Sequence, residues 1–138
     1  MITLQRSHRD QIIVHAHAAN PTECCGLIAG SKDERASSVY QLRNVAANPE
    51  VEYEAAPEDL FAAQRLMRER GEELLAIYHS HPRAFDPAPS ETDVRLAYYP
   101  KALYFIIGLE GTPPVMRAFR ISEQDERWEQ VEYAIAGE

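Results

Sequence analysis

Two cysteines are all that this 138-residue sequence contains, and they are neighbours, Cys24 and Cys25. Adjacent cysteines rarely reach disulfide geometry, so a disulfide-stapled secreted domain is not expected and a reducing, cytoplasmic location is. Basic residues are scarce as well. Fourteen Lys and Arg against 22 Asp and Glu leave a formal charge of −8. That balance argues against a nucleic-acid partner, which a basic face would serve. No run approaches the roughly 18 apolar residues that span a bilayer, so no membrane segment is expected. The start, Met1-Ile2-Thr3-Leu4-Gln5-Arg6, lacks a basic region followed by an apolar one, and no signal peptide is expected. Repeats, low-complexity tracts and long linkers are missing too.

What is present is ordinary in bulk and specific in places. Apolar residues make up 45% of the chain and charged ones 26%, as in globular domains. The length suits one domain, residues 1–138, with one sizeable core. Arg6 to Ala19 reads as a helix ended by Asn20-Pro21. Cys25 to Gly30 reads as a buried strand, and Ser38 to Asn44 as a second strand pairing back on it. A short extended piece surrounds Tyr53. Pro57 suits a first helical position, Glu58 and Asp59 the positive N-terminal end, and Gly71 the stop, with Leu60, Ala63 and Met67 on one face. Leu74 to Tyr78 is a strand that delivers His79 and His81. Pro82 to Pro89 is an irregular loop, and Ser90 caps a helix reaching about Tyr98. Leu103 to Leu109, Val115 to Ile121 and Trp128 to Ile135 complete the strands. The fold class is α/β (α+β), a mixed sheet flanked by helices.

The chemistry concentrates in Tyr78-His79-Ser80-His81-Pro82 and Ser90-Glu91-Thr92-Asp93. Histidines at i and i+2 point to the same side of a strand, and a carboxylate after a turn can return to them. Two imidazoles and one carboxylate suffice for a catalytic zinc with a fourth position left for water. Each part also has a plainer explanation. A lone strand histidine is ordinarily structural; two beside proline and a polar loop shift the balance. Ser90 and Asp93 fit a capping box, which needs no function and is compatible with one. Glu23, ahead of a strand, is ordinarily a solvated loop residue, although a zinc hydrolase needs a carboxylate that is not a ligand. Cys24 and Cys25 are expected to be buried packing, and His8, His15 and His17 structural or surface residues. Trp128, Tyr98, Tyr99 and Tyr104 read as core or sheet aromatics.

Taken together, Pro21, Glu23 and Cys25-Gly26-Leu27-Ile28-Ala29-Gly30, then His79-Ser80-His81-Pro82, then Ser90-x-x-Asp93, resemble the JAMM (MPN+) metallopeptidase family. The likeness is greatest to its small single-domain bacterial and archaeal members. It implies a JAMM/MPN-like (cytidine-deaminase-like) sandwich. It also implies one Zn2+ per chain held by His79, His81 and Asp93, with Glu23 as general acid/base and Ser90 steadying the oxyanion. The implied reaction is hydrolysis of a peptide or isopeptide bond by a zinc-bound water. The implied substrate is a ubiquitin-like or sulfur-carrier protein, cut after its C-terminal Gly-Gly, with the oligomeric state left open. One departure stands out: Pro82 through Pro89 are eight residues, one more than the family pattern usually has. A loop can absorb that residue, so the ligand assignment is kept.

Two other classes compete. A zinc nucleobase or nucleoside deaminase would show His-x-Glu and a later Pro-Cys-x-x-Cys. Here His81 stands two past His79, and no Cys-x-x-Cys exists. A noncatalytic MPN-type interaction scaffold would lack one or more of Glu23, His79, His81 and Asp93; all are present.

Overall fold

The computed structural model describes residues 1–137; Glu138, the last residue of the expected domain, lies outside them. A short strand β1 (Thr3–Gln5) leads straight into α1 (Arg6–Ala19), whose buried residues His8, Ile12 and Ala16 recur every fourth position. The helix ends where proline forces it to, since Asn20 before Pro21 is already extended in ψ. Then come β2 (Cys25–Gly30) and β3 (Ala36–Leu42). The helix α2 (Pro57–Arg70) opens on Pro57, carries Glu58 and Asp59 in its first turn, and closes on Gly71 at φ 68°. Only glycine adopts that left-handed conformation without cost. Next are β4 (Glu73–His81), α3 (Glu91–Arg95), β5 (Leu103–Gly108), β6 (Val115–Ser122), β7 (Arg127–Val131) and β8 (Ala134–Ala136).

Six strands form one mixed sheet in the order β3-β2-β4-β5-β6-β7, and β1 pairs separately with β8. Within the large sheet only β4 and β5 run parallel. Parallel neighbours need a crossover, and this one consists of the proline-rich loop and α3. The crossover is what brings residues 82–95 to the end of β4.

The central strands β2, β4 and β5 are buried on both faces of the sheet. Alternate strand residues face opposite ways. Ile28, Tyr78, Phe105 and Ile107 pack with Ile12 and Ala16 of α1 on one side. Leu27, Ile77, Tyr104 and Ile106 pack with Ala63 and Met67 of α2 on the other. This is the expected helix-flanked mixed sheet. Strands covered on both faces read as continuous apolar runs, which is why β2 and β5 were plain in the sequence.

Several boundaries differ from expectation. β3 begins and ends about two residues early, and residues 52–54 form no strand, only an isolated bridge from Asn44 to Ala55. α3 stops at Arg95, short of the expected Tyr98: the Leu96 N–H still reaches Thr92 O, but the Ala97 N–H bonds Val94 O, three residues back, and the helix goes no further. The expected last strand is two. β7 finishes the large sheet, and β8 leaves it to pair with β1, which the sequence did not announce.

Candidate metal centre

β4 supplies the two histidines. Its pleat sends Ile77 into the core on the α2 side and, by alternation, His79 and His81 to that same face. Tyr78 and Ser80 point the other way. Ser80 is engaged there, accepting a hydrogen bond from the Cys24 N–H at 2.8 Å. His79 is fully buried and His81 partly so.

α3 supplies the carboxylate. The Ser90 hydroxyl accepts from the Asp93 N–H at 3.1 Å, while Asp93 Oδ2 accepts from the Ser90 N–H at 2.9 Å. The capping box is therefore real, and it aims Asp93 at β4. Asp93 Oδ1 lies 3.1 Å from His79 Nε2, Oδ2 lies 3.0 Å from His81 Nε2, and the two Nε2 atoms are 3.2 Å apart. Donors around a tetrahedral zinc at about 2.0–2.1 Å would stand about 3.3 Å from one another. Two nitrogens and one oxygen are also a donor set that zinc takes, so both spacing and chemistry fit the ion.

Glu23 arrives from the chain entering β2. It is 4% exposed, and it shares with His79 and His81 a cluster whose ligand-type atoms lie within 4.8 Å of one another. Its Oε1 has no hydrogen-bond partner among the described residues, and neither does His79 Nδ1. A buried carboxylate oxygen left so is costly unless a proton, water or reactant meets it. Burial first, and then the charges of Asp93 and Glu52, push the Glu23 carboxyl up to about 8. Asp93 goes the other way. Burial alone would raise it, but the adjacent rings of His79 and His81 hold it well below the usual carboxylate range. Two carboxyls driven apart by their surroundings are the arrangement acid–base chemistry uses.

Ser90 is exposed at the opening. Its oxygen accepts from Asp93 while its own proton is uncommitted. The eight-residue loop 82–89 between β4 and α3 packs down onto the end of the sheet. Pro87 is fully buried, and the Glu110 N–H donates to Ala84 O at 3.1 Å. Phe85, the apolar loop residue, stays 66% exposed.

The other singled-out residues stay outside the cluster. Cys24 and Cys25 are buried, and burial raises their thiols to about 11 and about 12, so both are neutral packing groups. His8 Nδ1 accepts from the Gln5 N–H at the start of α1, His15 Nδ1 meets the Tyr78 hydroxyl at 2.7 Å, and His17 is exposed. One participant escaped sequence reasoning. The Tyr53 ring stacks on His79, centroids 4.5 Å apart and planes 27° apart. A tyrosine in the polar strip Glu52-Tyr53-Glu54 gives no signal of that. It also forms one wall of an apolar cavity of about 530 Å³ beside the centre, with Leu42, Leu60, Met67, Ile77 and Tyr98.

Comparison with known proteins gives a consistent neighbourhood. The family model for prokaryotic homologs of the JAB domain matches residues 5–122. A desampylase of Haloferax volcanii is 37% identical over 115 residues, covering 80% of this chain and 82% of the relative. A probable TtuB-protein conjugate cleaving protease of Thermus thermophilus is 34% identical over 127 residues, covering 91% and 80%. Among solved structures, a solution structure of a Desulfitobacterium hafniense protein superposes with a TM-score of 0.87 at 34% identity, covering 100% of this chain and 94% of its own.

Proposed function

This chain belongs to the family of prokaryotic homologs of the JAB domain, and we propose that its whole length serves one zinc-dependent peptidase. The reaction is hydrolysis of an amide or isopeptide bond that follows the C-terminal Gly-Gly of a ubiquitin-like or sulfur-carrier protein. Support for the substrate class comes from relatives named for desampylation and for cleaving TtuB-protein conjugates. The observation that carries the reading is the convergence of His79, His81 and Asp93 within 3.0–3.2 Å, with buried Glu23 beside them.

His79, His81 and Asp93 would hold the zinc. Bound there, zinc supplies a Lewis acid and brings the pKa of water down to about 7. Glu23 does the proton work. Its Oε1, without a hydrogen-bond partner among the described residues, accepts the proton of the attacking water and passes it to the leaving amine. The Ser90 hydroxyl, with its proton free, donates to the carbonyl oxygen as charge develops there. Asp93 is fixed by the Ser90 N–H and keeps both imidazoles in place. Buried neutral Cys24 and Cys25 take no part. No helix among the described residues is long and apolar enough to cross a membrane, and the proposed place of action is the cytoplasm. A noncatalytic scaffold would have no use for an unpaired buried carboxylate beside three converging ligands.

The test is a carrier protein extended past its Gly-Gly by a few residues, read by intact mass, with and without a chelator. Cleavage after the second glycine that chelation abolishes and zinc restores is the expected result. Intact substrate throughout would overturn the reading. Equal cleavage of a variant with both glycines changed to valine would remove the Gly-Gly preference alone.

A further inference from the structure

Glu23 precedes β2, so no sheet ladder holds its main chain. Its backbone groups are held instead by the loop between β3 and α2. The Glu23 N–H donates to Pro49 O at 2.7 Å, and its carbonyl accepts from Asn44 Nδ2 at 2.9 Å. The same amide group organises that loop. Asn44 Nδ2 also donates to Glu52 O at 3.0 Å and reaches Pro49 O at 3.4 Å. Asn44 Oδ1 accepts from the N–H groups of Ala46 and Glu54, both at 3.0 Å. Tyr53 sits between two residues that are fastened to this one side chain, and its ring lies on His79.

We infer that Asn44 is a positioning residue for the reaction: its carboxamide fixes the Glu23 backbone and, through Glu52 and Glu54, sets Tyr53 against the His79 ring. This rests on the reading of Glu23 as the proton carrier. The amide is chemically suited to the task. It has donors on one side and an acceptor on the other, and the donors face Glu23 and Glu52 while the acceptor faces Ala46 and Glu54. Aspartate keeps the acceptor and cannot donate; alanine keeps neither. Glu23 touches the reacting atoms and Asn44 does not, so the effect belongs in turnover. A displacement of the order of an ångström in a catalytic group can cost about 10²-fold.

The experiment compares parent, Asn44→Ala and Asn44→Asp in the zinc-loaded full chain. It follows kcat and KM on the extended carrier protein, zinc content, and amide hydrogen exchange at Glu23, Glu54 and the β2 and β4 strands. The expected result for both variants is a kcat about 10- to 100-fold lower with KM within threefold. Zinc should be retained, and exchange at the Glu23 amide should be at least about tenfold faster, with β2 and β4 protected as in the parent. A kcat within threefold of the parent in Asn44→Ala would overturn the inference. So would recovery in Asn44→Asp, because the acceptor alone would then suffice and the bond to Glu23 would be idle. If the parent turns over no carrier protein, the functional reading fails by itself. Asn44 is then decided by exchange at the Glu23 amide, which it holds only through the Pro49 carbonyl of the loop it organises: unchanged protection there refutes it, and selective loss supports it.

Discussion

Glu23 and Asp93 are both buried carboxyls near the same two imidazoles, yet their surroundings send them in opposite directions. In the proposed mechanism Glu23→Gln removes proton transfer and no ligand, so hydrolysis is expected to fall about 10²–10⁴-fold with zinc content unchanged; activity within a few-fold of the parent would exclude the role. The same substitution has a signature without substrate. In the chelated protein the Glu23 carboxyl is raised from 4.5 to about 8. A group raised in the folded state contributes stability that is complete below its unfolded pKa and is lost as pH rises through the folded one. Denaturant midpoints of the chelated parent should therefore fall between about pH 4.5 and 8, and those of chelated Glu23→Gln should fall less. Ser90 has an observed role as a cap and a proposed one as an oxyanion donor to separate. Ser90→Ala should lower turnover by about 10²–10³-fold and stability by about 1 kcal/mol. Ser90→Asp should restore the cap without the hydroxyl donor, so an aspartate variant with full activity would make Ser90 a cap only.

At the scale of elements, the site depends on β4 and α3 meeting in one register. His79→Ala together with His81→Ala should lose nearly all zinc, as measured by metal analysis after desalting; full retention would void the ligand assignment. The register of β4 has its own sensitive point. Gly26 pairs with Tyr78, and a Cβ at Gly26 would run into the Tyr78 ring. Gly26→Ala must displace that ring or the strand next to His79. A loss of about 1–3 kcal/mol is expected in chemical denaturation, with weaker zinc retention. A stable Gly26→Ala protein with parental zinc content would show that β4 tolerates the shift.

The whole molecule should respond to the proposed zinc as a ligand. Anything that binds only the folded state stabilises it, by about 2.7 kcal/mol at a hundred times its Kd. Chelation should therefore lower Tm measurably, and zinc should restore it. The His79→Ala, His81→Ala double variant should show no such difference. Below pH 4 a second effect enters. Asp93 is depressed in the folded state, so its contribution is present above its unfolded pKa and drains away as pH falls. Acid should thus weaken the chelated protein further than an Asp93→Asn counterpart.

The sequence by itself determined the elements whose signals are local. Pro21 ends α1, Pro57 and Gly71 bracket α2, and the apolar runs of β2 and β5 need no partner to be recognised. It also placed His79 and His81 on one face, because a pleat alternates whatever surrounds it, and it supplied Ser90 and Asp93 as a cap. Tertiary structure decided the rest. Whether Asp93 faces the histidines depends on the crossover from β4 to β5, and Glu23 reaches them only because β2 lies beside β4. Tyr53 and Asn44 are set by a loop without periodicity, held through Asn44 side-chain hydrogen bonds to Glu52 and Glu54 within it and to Glu23 ahead of β2. β1 and β8 are three residues each, too short for a pattern, and exist because each gives the other a partner. Local chemistry is written in neighbouring residues, whereas the meeting of distant ones is fixed by strand order and packing, which no window of sequence contains.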